Sequence, residues 1–266
     1  MKIAISGKGG TGKTTLAAVL SHFFKNSGFD VLAVDADPDA NLAEALGAEK
    51  SQLAGLTPIS AQRKLIQDRT GAKPRQFGQL FKLNPTVHDI PENFCVFVRG
   101  IKVLVMGSIE RGGDGCACPE NVLLRSLLSE ILLNRNEVIL VDMEAGIEHL
   151  GRATARSIDT MLIVVEPGRR SIQTAETILE LGKHIGIPSF GIIGNKIHSK
   201  DQEFWIQKHF AFAKYLGSIS FSRTIGDSDR DSRPLIDTLD SNTKQEFEAI
   251  YTFLTRPESG DRFTSK

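Results

Sequence analysis

Eight residues near the start of the chain, Gly7-Lys8-Gly9-Gly10-Thr11-Gly12-Lys13-Thr14, fit the spacing G-x-x-x-x-G-K-[ST]. Glycines at this density let backbone N–H groups close on phosphate oxygens. The apolar run at 2–6 reads as a strand and the stretch Lys13–Asn26 as a helix. The loop therefore ends on a helix N-terminus, whose dipole adds positive potential. The chemistry is polyphosphate binding. Gly9, Gly10, Thr11, Gly12 and Thr15 form the cradle, Lys13 reaches the β- and γ-phosphates, and the Thr14 hydroxyl ligates Mg²⁺. Lys8 is one lysine more than phosphate binding requires.

Two carboxylate clusters follow. VDADPDANLAEAL places Asp35, Asp37 and Asp39 at the end of the apolar run 31–35. VILVDMEAGIEHL, at 138–150, is an apolar strand ending in Asp142. A carboxylate so placed suits Mg²⁺ held through water, and Gly146 can offer its N–H to a γ-phosphate. Asp39 is expected to be structural, capping a helix that begins near Asn41. A further strand, FGIIGN, ends in Asn195-Lys196.

The third constellation is GGDGCACPENVLLRSLL, at 112–128. Cys116 and Cys118 lie in a glycine-rich loop, and Pro119 suits a first helical turn. Thiols at a helix N-terminus have lowered pKa values, so thiolates are favoured there. A disulfide within C-x-C would be strained. Two thiolates are too few for a closed structural zinc site, but a twofold dimer supplies four. Such a site suits Zn²⁺, Ni²⁺, Cu⁺ or an iron–sulfur cluster. Cys95, between Phe94 and Val96, reads as a buried apolar residue.

The elements that must position these groups are legible as a repeat of apolar runs and helical patterns. Runs at 2–6, 31–35, 102–106, 138–142, 161–166 and 190–195 read as strands, with a weaker seventh at 215–220. They are continuous rather than alternating, as parallel strands covered on both faces should be. Helical stretches lie between them at 13–26, 40–46, 119–134, 171–185 and 201–210, and 243–254 closes the fold. The expectation is an α/β chain with the P-loop NTPase architecture: a doubly wound, mostly parallel sheet of seven or eight strands with helices on both faces. Its ligand lies at the strand carboxyl ends. The 266 residues are expected to form one domain, with 48–100 an irregular insertion and 257–266 a polar tail.

Composition narrows the partners. The 32 basic and 32 acidic residues cancel, which gives no pull towards nucleic acid or anionic lipid. The chain starts directly with MKIAIS, without a signal peptide, and no apolar run approaches a membrane span. A cytoplasmic protein with neither nucleic-acid nor membrane partner is expected. Three cysteines suggest no disulfide framework.

With Lys8 in place, the loop resembles the deviant phosphate loop of the MinD/ParA and nitrogenase-iron-protein class of ATPases. A narrower resemblance rests on GKGGTGKTT, VDADPDANLAEALG, the C-A-C loop, DMEAGIEHLGRATA (142–155) and VVEPGRRSIQTA (164–175). These are similar to the CooC-type carbon monoxide dehydrogenase accessory ATPases, which assist nickel insertion. The likeness runs from Met1 to Lys196 and fades in the last quarter.

The resemblance implies ATP with Mg²⁺ as cofactors and an ATP-driven homodimer. Lys8 would contact the nucleotide of the partner subunit, acting as an arginine finger does. Lys8, Lys13 and Asp37 are then the catalytic set, with Asp37 positioning the attacking water and Asp35 nearer the Mg²⁺ shell. Asn195 would read the adenine edge, with Lys196 beside it. Cys116 and Cys118 of both subunits would hold Ni²⁺ or Zn²⁺ at the interface, and apo carbon monoxide dehydrogenase would be the client.

Two departures stand out: Glu144 occupies a position where many relatives carry proline, and SISFSRTI lacks a proline near the base. His149 reads as an ordinary polar residue rather than a ligand. Three other classes are weaker. A positioning or partitioning ATPase on membrane or DNA would want an amphipathic tail or basic surface, and RPESGDRFTSK offers no apolar face. An electron-transfer ATPase with a [4Fe–4S] cluster would use two well-separated cysteines. A non-catalytic scaffold would not need Lys13, Thr14, Asp37 and Asp142 together.

Overall fold

Strands built from unbroken apolar runs are stable only if both faces are covered, and the structure covers both. It is a computed structural model that describes residues 1–37, 39–74, 76, 78–107, 118–134, 137–144, 150, 152–231 and 233–256. The strands are β1 Lys2–Gly7, β2 Val31–Ala36, β3 Val96–Val98, β4 Ile101–Val105, β5 Val138–Met143, β6 Thr160–Val165, β7 Phe190–Ile197 and β8 Lys214–Ser220. They form one eight-stranded sheet in the order β3-β4-β2-β5-β1-β6-β7-β8. All pairs are parallel except β3 with β4. The phosphate-loop strand β1 sits inside the sheet between β5 and β6.

The helices are α1 Lys13–Asn26, α2 Leu42–Ala45, α3 Lys50–Gly55, α4 Arg63–Thr70, α5 Ile90–Phe94, α6 Pro119–Asn134, α7 Arg152–Arg156, α8 Arg169–Ile185, α9 Lys200–His209, α10 Arg223–Arg230, α11 Leu235–Thr238 and α12 Ser241–Thr255. Along β1 the side chains alternate between two cores. Ala4 joins the layer with Leu123, Leu127 and Ile131 of α6 and Ile172, Ile178 and Leu179 of α8. Ile3 and Ile5 join the layer with Leu16, Leu20 and Phe24 of α1 and Phe247 and Ile250 of α12. Truncating a fully buried side chain such as Leu20 to alanine typically costs ~2–5 kcal/mol. Packing of that strength on both faces holds β1, and with it the loop, in place.

The expected strands are all present, including the weak seventh. The eighth, β3, is a three-residue edge strand whose central Phe97 is exposed; it lies in the short apolar run 94–98, inside the stretch expected to be an irregular insertion. α1 and α6 have the bounds read from the sequence. The helix expected at 40–46 is the shorter α2, Leu42–Ala45. Residues 48–100 hold α3, a 3₁₀ turn at Ile59–Ala61, α4, α5 and β3, and β3 belongs to the main sheet. No helix among the described residues is long and apolar enough to cross a membrane.

Candidate functional site

Parallel strands bring their carboxyl ends to one edge, and the groups singled out above meet there. Gly12 is the N-cap of α1 at φ 92°, a left-handed conformation, and no side chain caps the first turn. The turn's orphan N–H groups are thus left for an anion. A Cβ on Gly12 would overlap Asn195 Nδ2. At Gly7, with φ 151°, a Cβ would lie 2.5 Å from the Val164 carbonyl oxygen on β6. Only glycine lets the loop lie this close to its neighbours. The loop is closed by Thr11, whose N–H and hydroxyl both donate to the Lys8 carbonyl, at 3.2 and 2.8 Å.

Lys13 is buried, and its Nζ lies 3.5 Å from the Lys8 carbonyl. Among the described residues no carboxylate pairs with it. A buried ammonium at the head of a helix, near enough to Asp142 to act on its charge but in no ion pair among the described residues, is poised for an anionic ligand. Lys8 Nζ contacts only the Gly9 carbonyl, at 3.5 Å, and forms no ion pair among the described residues.

The acidic side of the site is set by strand register. Asp35 on β2 and Asp142 on β5 are Cα partners. Both are buried. Thr14 Oγ1 donates to Asp142 Oδ2 at 2.6 Å, while Asp142 Oδ1 is buried with no hydrogen-bond partner among the described residues. Burial is the main reason that Asp142 is pushed up to about 7, and the nearby Asp35 and Asp37 carboxylates add to it. Burial likewise raises Asp35 to about 6. A hydroxyl, a carboxylate with one orphaned oxygen and a second carboxylate alongside form a hard oxygen set, which fits Mg²⁺.

The structure corrects one expectation. Asp39 does not cap the helix after β2; Asp35 does. Asp35 Oδ2 accepts from Leu42 N–H at 2.9 Å, and Oδ1 accepts from Asp37 N–H at 3.2 Å. Asp35 sits at the strand end aimed at the start of α2, whereas Asp39 is exposed and its carbonyl accepts from Asn41 Nδ2 at 2.8 Å. Asp37 is half-buried and its Oδ1 accepts from Asp39 N–H at 3.0 Å.

Asn195 lies beneath the loop. Its Nδ2 donates to the Thr11 carbonyl at 2.6 Å and its Oδ1 accepts from Lys196 N–H at 2.8 Å. Lys196, in a left-handed conformation at φ 56°, reaches the Gly10 carbonyl and Glu166 Oε1, each at 2.6 Å. Both residues thereby tie the phosphate loop to the ends of β6 and β7. Sequence reasoning missed Glu166 in this role: the VVEPGRRSIQTA stretch was singled out, but not this residue's contact with Lys196. It also missed a pair at the exit of β7 and β8. Phe221 N–H donates to the Ile197 carbonyl at 2.9 Å, and the His198 ring stacks on Phe221 at 4.7 Å. Phe221 of this pair lies in the SISFSRTI segment, which has no proline.

Cys118 heads α6. Its Sγ accepts from Asn121 N–H at 3.5 Å and its carbonyl accepts from Val122 N–H at 3.1 Å. The sulfur is thus turned into the first helical turn, the environment that favours a thiolate. Because α6 returns from the β4 end to β5, its N-terminus lies at the same strand-carboxyl edge as the phosphate loop. Cys116, Gly146 and His149 lie outside the described residues. Cys95 is partly buried against the α6 core layer, as its apolar flanks suggested.

Comparison with known proteins gives the family and the fold. Residues 2–235 match the CobQ/CobB/MinD/ParA nucleotide binding domain family. The chain is 48% identical over 231 residues to the carbon monoxide dehydrogenase accessory protein CooC of Rhodospirillum rubrum, covering 86% of this chain and 87% of that protein. It is 42% identical to an uncharacterised ATP-binding protein of Methanocaldococcus jannaschii, covering 96% of this chain and 98% of the relative. Among solved structures, the MinD cell division protein of Aquifex aeolicus superposes with a TM-score of 0.66 at 22% identity, covering 99% of both chains. A plasmid partition protein of Borrelia burgdorferi bound to AMPPNP gives 0.66 at 14% identity, over 95% of this chain and 97% of that one. At these identities the two structures share the fold.

Proposed function

The chain belongs to the CobQ/CobB/MinD/ParA nucleotide binding family and is a CooC-type ATPase, and on that footing we propose that it is a cytoplasmic maturation factor that uses ATP to assist nickel insertion into carbon monoxide dehydrogenase. The observation that carries the reading is Cys118 at the head of α6, its sulfur on a backbone N–H, at the strand edge that also holds the phosphate loop. A thiol site and a nucleotide site on one edge can be coupled by one interface.

In this reading ATP lies on the open first turn of α1, with Lys13 moving from the Lys8 carbonyl to the β- and γ-phosphates. Thr14 and Asp142 hold Mg²⁺, which would neutralise charge on the phosphates. Asp37 orients the attacking water, Gly146 donates to the γ-phosphate, and Asp35 keeps the segment after β2 in shape. Lys8, which has no ionic partner in its own subunit among the described residues, crosses to the nucleotide of a second copy. Asn195 holds the loop and lies next to the base, and the His198–Phe221 stack offers a flat surface beside it. The homodimer brings Cys116 and Cys118 of each subunit together as four thiolates. They bind Ni²⁺ or Zn²⁺ as cargo, for delivery to the apo client.

The test is metal stoichiometry with solution mass, measured anaerobically with Ni²⁺ or Zn²⁺ and with or without ATP. One metal per dimer is expected, and it should be lost in Cys116→Ala/Cys118→Ala while basal ATPase activity stays within about twofold, because neither thiol lies in the phosphate site. Stoichiometric metal retained by that double variant would refute the thiolate site.

A further inference from the structure

Between α4 and α5 the described residues of 71–89 hold no regular secondary structure, yet they are built rather than loose. Its base is fixed twice. Thr70 O accepts from Lys82 N–H at 2.8 Å, and Arg69 binds Asp89 at 2.6 Å and the Thr86 carbonyl at 3.3 Å. Inside, the Gln79 side chain bonds both the N–H and the carbonyl of Lys73, each at 2.9 Å, and the Gln76 carbonyl at 3.0 Å. Thr70 and Ala72 are buried at the root. A surface loop closed at its ends and braced by its own side chains is an Ω-loop, a type that is frequently functional.

What this frame displays is apolar. Leu80 is 97% exposed and Leu83 is 64% exposed. Isolated exposed apolar side chains need no explanation, but two of them three residues apart on a braced loop do. The charge around them is one-sided. From Gly71 to His88 the sequence holds Lys73, Arg75 and Lys82 and no Asp or Glu, in a chain whose total charge is zero. The loop leaves α4, which packs on α6, the helix headed by Cys118.

We propose that this loop is the client-docking element: Leu80 and Leu83 enter an apolar depression on apo carbon monoxide dehydrogenase whose rim is acidic, with Lys73 and Lys82 pairing to that rim. The inference rests on the proposed maturation role. A protein partner fits better than a lipid surface. Two leucines and three cations fall short of the two-signal requirement for stable membrane anchoring, whereas a shaped pocket uses a rigid, preorganised loop fully. Docking here would seat the client on the same helical layer as the cysteine loop.

The experiment uses the full-length protein with apo carbon monoxide dehydrogenase, reading binding by interferometry, client activation by added Ni²⁺, and basal ATPase activity. Leu80→Ser/Leu83→Ser should weaken client binding about 10- to 100-fold, the loss expected for two buried leucines, and leave ATPase activity unchanged. Lys73→Glu/Lys82→Glu should weaken binding most at low salt, with the difference shrinking as ionic strength rises. If the wild type activates the client and both variants bind and activate equally well, the docking loop is wrong and the maturation role stands. If the wild type neither binds nor activates it, the maturation role falls and the docking assignment with it. Vesicles of phosphatidylglycerol serve as a second probe. Vesicle binding by the wild type that the leucine variant loses, with client binding untouched, would assign the loop to membranes and overturn the proposal.

Discussion

Replacing Asp142 with asparagine separates the two electrostatic states of the site. The carboxyl group is buried, and burial with Asp35 and Asp37 nearby lifts it from its ordinary 3.8 to about 7. It therefore binds its proton more tightly folded than unfolded. Metal-free protein must lose stability as pH rises from about 4 to about 7, because the unfolded chain releases this proton first. The full gap of about three pH units corresponds to ~4 kcal/mol at ~1.4 kcal/mol per unit. The substituted amide has the same shape, carries no charge and can still accept from Thr14. In EDTA, Asp142→Asn should be more stable than wild type by under ~2 kcal/mol at pH 5 and by ~4 kcal/mol at pH 8. At ~2–4 °C per kcal/mol for a chain of this size, the advantage grows by about 5–10 °C across that range. Saturating Mg²⁺ with ADP should reverse the order at pH 8, because the carboxylate gains a cation and the amide does not, and ATP hydrolysis should be lost. Thermal melts at the two pH values, with chelator and with Mg²⁺, read all of this. A variant equally or less stable than wild type at both pH values in EDTA, or one stabilised by Mg²⁺–ADP as strongly as wild type, would refute the assignment of Asp142 as the buried, metal-awaiting carboxylate.

Two further outcomes follow from the loop geometry. Lys8→Ala should reduce ATP-dependent dimerisation and hydrolysis by about 10- to 1000-fold while changing nucleotide affinity by less than about threefold, measured by sedimentation, phosphate release and fluorescent-nucleotide titration; an equal loss of affinity would make Lys8 an ordinary loop residue. Gly12→Ala forces a left-handed alanine, at ~1–2 kcal/mol, and drives its Cβ into Asn195 Nδ2. ATP affinity should fall at least about tenfold and recover in part when Asn195→Ala removes the obstruction, so a second substitution with no effect would deny that contact.

Much of the fold was legible because its signals are local. Unbroken apolar runs bounded by glycine or aspartate gave the strands, and α1 and α6 begin at Lys13 and Pro119 as read. What was illegible depends on long-range placement. β3 is a strand only because its three residues meet β4 in antiparallel register. Asp39 looked like a helix cap by distance along the chain, yet Asp35 reaches Leu42 N–H seven residues on because α2 folds back over the strand end. Asn195 was expected at the base from its resemblance alone, and its bond to Thr11, far away in sequence, could not be seen there. Glu166 lies within the VVEPGRRSIQTA stretch, but its partner cannot be read there. Its meaning arises when Lys196 arrives from the next strand and joins it to Gly10.

In the proposed reading, the placement of the two sites is what would let one ATPase fold serve metal delivery. Cys118 begins α6, α6 runs into β5, and β5 ends at Asp142 and Met143. Glu144, the next residue, offers its carbonyl to the Ser6 hydroxyl at 3.2 Å, beside the phosphate loop. One continuous connection thus leads from a thiol to the carboxylate that answers to Mg²⁺. The helix is held rigid by Leu123, Leu127 and Ile131 in the core, so it transmits displacement rather than absorbing it. In the proposed cycle a change of charge at Asp142 acts at one end of this connection. The thiol end feels it only if α6 shifts as a body against α4 and α7, the helices it packs on. The proposed docking loop leaves the end of α4, so in that reading the same shift would reach a client bound there. In the proposed cycle, nucleotide state, thiol geometry and client position are linked through the placement of one helix.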